Sequence, residues 1–239
     1  KLCENGRNFC NKIWNAFRLV KGWEVADDAK PTEAAREAVK WFESKLNESA
    51  AEVNDLLGKF RISEALMVIY RLFWDEFSSW YLEMVKPAYG SPVDRGTLDA
   101  TLGYFDRLLR LLHPFMPFIT EELWQHLAER CPGESIMYAM VDKGGTTDPE
   151  TLAAMEAAKE IINGVRGVRA KRNIPNKEQL VLNIVGAPLP ANQAVIAKLG
   201  NISAINTVDE KDPAAASFMV GTTYYNIPVS YTHLTLPTI

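Results

Sequence analysis

The sequence predicts a mainly α protein, a helical bundle followed by a small α+β module. Three observations predict it. Apolar residues recur at helical spacing from Cys10 to the region of Arg172. Prolines fall between those stretches rather than inside them. Runs rich in β-branched residues appear only after Pro175.

Each element follows from a local signal. Cys10, Ile13, Trp14, Phe17 and Val20 repeat on one face of a first helix, which Lys21-Gly22-Trp23 ends. Pro31-Thr32-Glu33 starts a second, with Thr32 as N-cap and Glu33 favourable in the first turn. It runs through Trp41, Phe42, Leu46 and Leu56 to about Leu57, and Gly58 breaks it. A third fills Ser63 to Val85 and is apolar nearly all round, with Leu66, Val68, Ile69, Leu72, Phe73, Trp74, Phe77 and Trp80, so it should be the central helix. Pro87 stops it, and a fourth covers roughly Leu98 to Leu112. His113-Pro114 and Pro117 force a turn, because proline inside a helix breaks its hydrogen bonds. A fifth helix begins near Thr120-Glu121-Glu122, and a loop from Gly144 to Pro149 separates it from a sixth, Glu150 to about Arg172. Beyond Pro175, residues 180–185 read as a buried strand, Pro190 to Leu199 as a short helix, and Ser203 to Val208 and Ser217 to Val229 as further strands, with Gly221-Thr222 near a turn. The expected organisation is a bundle over residues 1–175, an α+β module over 176–228 and a separate tail over 229–239.

Composition excludes several classes. Of 239 residues, 47% are hydrophobic and 23% charged, which is ordinary globular usage and not that of a disordered or collagen-like chain. No run of roughly 18 apolar residues offers a membrane span. No basic segment followed by an apolar core opens the sequence, so no secretory signal is expected. Cys3, Cys10 and Cys131 are too few and too scattered for a disulfide framework or a structural zinc site, and fit a reducing, cytoplasmic setting.

The net charge of −4 hides a pattern. Residues 1–23 carry five Lys/Arg against one Glu, and residues 159–177 six against one, while residues 24–57 and 113–158 are acidic. Two basic segments suit a polyanion if the fold joins them. They equally suit solvated helix faces.

No phosphate-cradling glycine loop, HExxH motif or nucleophile elbow is present. His113 and His126 match no metal template, and Glu121-Glu122 point to different faces of a helix. Neither a catalytic centre nor a metal is expected from these residues. The first helix is more informative. Its polar side holds Arg7, Asn8, Asn11, Lys12, Asn15 and Arg18. Asparagine is a poor helix former, yet it offers both donor and acceptor to a base edge or a 2′-hydroxyl, and the cations beside it can hold phosphates. Trp23 at the helix end can stack on an unpaired base. The competing reading has Asn11 and Asn15 capping loops and Trp23 covering the core. Arg166 and Arg169 share a face in the second basic segment, either for phosphates or for pairing with acidic helices.

The same residues carry a resemblance. Gly6-Arg7-Asn8-Phe9 with Asn11-Lys12-Ile13-Trp14-Asn15-Ala16 resembles the helix that opens the anticodon-binding domain of valine–tRNA ligases, class I aminoacyl-tRNA synthetases. Ser79-Trp80-Tyr81-Leu82-Glu83 and the run from His113 to Trp124 are similar to two further signatures of that domain. Val165 to Pro175 resembles the family's segment of spaced arginines, and Val220-Gly221-Thr222-Thr223 a later signature. The resemblance covers residues 1 to about 228. Isoleucine and leucine enzymes share the bundle but usually differ before the Glu-Glu-Leu-Trp ending.

This resemblance implies the anticodon-binding bundle of a class I synthetase. It implies tRNA, of the valine isoacceptor, as partner, together with the catalytic core of the same parent chain. It places tRNA contacts on Arg7, Asn8, Asn11, Lys12, Asn15, Arg18, Trp23, Arg166 and Arg169, and makes His113 and its prolines architectural. The full enzyme uses ATP with Mg on a core carrying HIGH and KMSKS motifs, and edits mischarged threonine elsewhere. Neither is present, so this segment should bind tRNA without charging it and hold no cofactor. From Phe218 to Ile239 no residue is charged, where the family continues with an acidic stretch. The end from about residue 229 looks like read-through of a sequencing adapter, which would make His233 meaningless. Two readings from other classes stay open. A protein-interaction module predicts that Arg7, Asn15 and Arg18 share no face with Arg166 and Arg169. A small-molecule bundle predicts an apolar cavity lined by Trp74, Phe77 and Trp80.

Overall fold

Side-chain caps and prolines set where the helices begin. A computed structural model describes residues 2–228; the expected foreign tail, with His233, lies outside them. α1 spans Leu2–Lys21. α2, Glu33–Gly58, starts where the Oγ1 of Thr32 accepts the Ala35 N–H at 3.2 Å. α3, Ile62–Arg71, passes into a π-helical stretch, Leu72–Tyr81, and then α4, Leu82–Val85. The expected third helix is therefore a single rod whose middle is wound wider. Phe73, Phe77 and Tyr81, four apart along it, are all fully buried. Their rings form a column along the buried side of the rod. The Phe73–Phe77 and Phe77–Tyr81 ring centroids are each 5.5 Å apart.

α5, Arg95–Leu112, is capped by Asp94, whose carboxylate accepts the Thr97 N–H at 2.8 Å. α6, Pro117–Leu127, begins three residues earlier than expected. Pro117 does not interrupt the chain but opens the helix, where its missing N–H has no partner to lose. His113 shares a 2.8 Å hydrogen bond with Thr120, closing the turn, which fits an architectural role. Glu121 accepts from Gln125, Ser135 and the Ile136 N–H. Burial pushes its carboxyl up, but those hydrogen bonds prevail and hold it below the usual range. A two-residue parallel ladder, β1 (Val25–Ala26) with β2 (Val93–Asp94), was not foreseen.

The chain divides into two compact units, Lys1–Leu152 and Ala153–Ile239. In the first, Phe42 lies 4.8 Å from Tyr81 and 5.2 Å from Tyr104, and Tyr81 donates to Thr101 at 2.8 Å. Phe77 has no exposed surface and rings of Phe42, Phe73, Tyr81 and Phe105 around it. That space is filled, not the cavity a small-molecule bundle needs.

In the second unit, α7 (Pro149–Arg172) precedes a four-stranded sheet of order β4-β3-β6-β5. β3 (Leu180–Val185) pairs in parallel with β4 (Ile202–Val208), the crossover being α8 (Gln193–Gly200). β5 (Ala216–Val220) and β6 (Thr223–Ile227) form a hairpin about the turn expected near Gly221-Thr222. Gly164 on α7 lets the Phe218 ring approach so closely that a Cβ there would overlap it, at 2.2 Å. The boundary expected after Pro175 therefore differs from the division found. α7 belongs with the sheet from Ala153 on, because its buried face of Met155, Ile161, Ile162, Val165 and Val168 is completed by residues that follow it.

Candidate nucleic-acid interface

α1 positions most of the expected contacts. It buries Phe9, Ile13, Ala16, Phe17 and Val20, which fixes the opposite face toward solvent. On that face Arg7, Asn8, Asn11, Asn15 and Arg18 are all exposed. Arg7 and Arg18, eleven residues apart, lie within about 20° around the helix axis, with Asn11 between them. Among the described residues, neither arginine is tied into an ion pair, and none of the three asparagine side chains is hydrogen-bonded. The loop-capping role for Asn11 and Asn15 is therefore not what the structure has. Arg18 and Lys21 also sit in the last turn, where the helix dipole favours cations.

Lys12 departs from this strip. It is half-buried and its Nζ lies 5.1 Å from the centre of the Trp74 ring. It sits about 140° around the helix from Arg7. Trp14, expected on the apolar face, is instead 40% exposed, beside Asn11 and Arg18 at helical spacing. Its place at the edge of the apolar arc was the sequence signal for this.

Trp23 is half-buried just past α1. It lines a cleft of about 300 Å³ with Leu19, Glu24, Lys86 and Tyr89. Tyr89 is fully exposed and was not singled out from the sequence. An aromatic between Pro87 and Gly90 is the available signal, since a turn there holds the ring away from the core. Asp27, the acid nearest in sequence beyond Glu24, is taken up by Arg95 at 2.9 Å.

In the second unit Arg166 is exposed, but Arg169 is not. Arg169 is 5% exposed, and its guanidinium donates to the carbonyls of Pro175, Glu178, Gly200 and Asn201 at 2.9, 2.8, 3.0 and 3.2 Å. Burial lowers its pKa from the usual arginine value. Its expected phosphate contact is thus corrected: those donors are spent on backbone carbonyls, which they tie together from separate segments.

No helix among the described residues is long and apolar enough to cross a membrane. The site is therefore a solvent-facing strip of unspent cations, amides and aromatics on one rigid helix, with an aromatic cleft at its end. Its chemistry is that of recognition. Comparison with known proteins agrees. The chain is 58% identical to the valine–tRNA ligase of Phocaeicola vulgatus over 229 residues, 95% of this chain and 26% of the relative. It is 58% identical over 228 residues to that of Parabacteroides distasonis, and 36% identical over 225 residues to that of Thermotoga maritima. It thus spans about a quarter of the length of the curated relatives it matches. Residues 39–184 match the family described as the anticodon-binding domain of tRNA ligase, and the chain belongs to that family.

Proposed function

We propose that this chain is the anticodon-recognition segment of a valine–tRNA ligase and binds the anticodon arm of valine tRNA. The unspent polar face of α1 carries this reading. Arg7 and Arg18 neutralise backbone phosphates, and Asn8, Asn11 and Asn15 present donors and acceptors to unpaired bases or 2′-hydroxyls. Trp14, Trp23 and Tyr89 supply ring faces on which such bases stack. In the second unit Arg166 is retained as an expected tRNA contact in its own right, and Lys12 acts through Trp74 rather than on RNA. In the full-length protein this binding places the acceptor end of the tRNA in a catalytic core that joins valine to it with ATP and Mg, in the cytoplasm. The free thiols of Cys3, Cys10 and Cys131 suit that compartment.

The test is binding of the 239-residue chain to a valine tRNA transcript across a salt series, beside an anticodon-swapped transcript. The expected result is affinity that falls with salt and falls again on the swap. Salt-sensitive binding indifferent to the swap reduces the site to a basic strip. Absence of binding by the folded chain overturns the reading.

A further inference from the structure

The turn between α2 and α3 breaks two rules at once. Phe60 has φ of +59°, the left-handed region that suits glycine and not a bulky side chain. Its ring is also 88% exposed. Local hydrogen bonds fix the conformation: the Arg61 N–H donates to the Leu56 carbonyl at 2.9 Å and the Phe60 N–H to the Leu57 carbonyl at 3.0 Å. This is the helix-ending geometry in which glycine is the usual left-handed residue. A phenylalanine here gains nothing from burial and bears backbone strain. Strain persisting without local return marks a position held for another purpose.

The surroundings say what kind of surface the ring meets. Ile62 and Met67, on the first turns of α3, are 57% and 51% exposed. The flanking charges are already matched, Lys59 with Asp55 and Arg61 with Glu64, each at 2.6 Å. The tip thus shows an apolar centre inside a self-neutralised polar rim, the anatomy of a protein contact. It offers no unmatched cation to a phosphate, unlike the strip on α1.

Location supplies the occupant. The Phe9 ring centre lies 4.7 Å from that of Tyr70 at a tilt, Lys12 lies 5.1 Å from the Trp74 ring, and Trp23 beyond α1 lines one cleft with Lys86 beyond the rod, so α1 and the α3 rod run in the same direction. The first turn of α1 and the Phe60 tip therefore share one end of the bundle. Any polypeptide joined ahead of α1 enters at that end. The relatives have about three-quarters of their length outside the matched segment.

We propose that Phe60, with Ile62 and Met67, docks against the polypeptide that precedes α1 in the full-length protein. The inference rests on reading this chain as one segment of a valine–tRNA ligase. The discriminating variant is Phe60→Gly, which removes the ring and relieves the backbone together. In the isolated chain it should leave the melting temperature unchanged or raise it by about 2–4 °C. The second context is the full-length Phocaeicola vulgatus relative with its matched segment replaced by residues 2–228 of this chain. There the amides of residues 57–67 should exchange at least tenfold more slowly than in the isolated chain, and Phe60→Gly should abolish that protection. Tyr89→Ala, removing an exposed ring elsewhere on the same unit, should leave it intact. Equal exchange in the two contexts, or a Phe60→Gly chimera as protected as its parent, overturns the proposal. So does loss of stability in the isolated variant, which would show the ring serving the local fold. Failure of the wild-type chain to bind valine tRNA would overturn the functional reading instead, and leaves the exchange comparison to decide this one.

Discussion

Arginines on helix faces have opposite fates in this chain, and burial is what separates them. Arg7 and Arg18 project from a helix whose other face is buried, and their donors are unspent. Replacing either by alanine should weaken tRNA binding and lower the slope of log affinity against log salt by about 1, with little change in melting temperature. Circular dichroism beside the salt series separates these effects. Arg169 should behave in the reverse way. Its removal takes a buried, charged donor from the carbonyls of Pro175, Glu178, Gly200 and Asn201, so Arg169→Ala should cost about 2–4 kcal/mol in denaturant unfolding of the chain. A variant that melts normally but has lost RNA affinity would overturn this assignment. Sequence alone did not distinguish Arg166 from Arg169, because three residues along one helix face differ little in pattern. What differs is the loop and the α8 end that wrap around one of them.

At the scale of elements, caps and breakers were the most legible features. Thr32, Gly58, Pro87 and the Pro114–Pro117 turn act within a few residues, so their effects follow from local sterics and hydrogen bonding. The start of α7 extends this logic to pH. Asp148 accepts from the Thr151 hydroxyl at 2.6 Å and from the Thr151 N–H at 3.1 Å, with Lys40 at 3.1 Å. These contacts hold its carboxyl well below the usual carboxylate range. Its folded pKa lies below the unfolded one near 4, so its contribution is complete above about pH 4 and is lost as the pH falls through the folded value. Asp148→Asn should therefore lower the melting temperature at pH 7, and the gap from wild type should shrink steadily below about pH 4. A gap independent of pH would show the charge to be irrelevant. The π-helical winding of Leu72–Tyr81 was not legible, because Phe73, Phe77 and Tyr81 fit an ordinary helix face equally well. Packing of that aromatic column against Phe42, Tyr104 and Phe105 accompanies the wider turn.

For the whole molecule, the division at Leu152/Ala153 makes a testable claim. A chain ended at Pro175 keeps α7 but loses the strands that complete its packing. Ile161, Ile162, Val165 and Val168, all at most 6% exposed in the structure, would then face water. That truncation should self-associate on gel filtration, whereas one ended at Leu152 should run as a monomer with a cooperative melt. The opposite result would place α7 with the bundle. By itself the sequence determined the mainly α class, the order of elements, the change of character after Pro175 and the polar strip on α1. Each rests on periodicity or on residues a few positions apart, which local geometry reads directly. Only the tertiary structure decided that Arg169 is internal, that Lys12 turns to Trp74, that Trp14 and Tyr89 are exposed, that α7 belongs to the sheet and that Phe60 stands strained and bare at a turn. Those outcomes depend on which distant residues occupy the neighbouring space, and burial is a property of the packed chain rather than of any window along it.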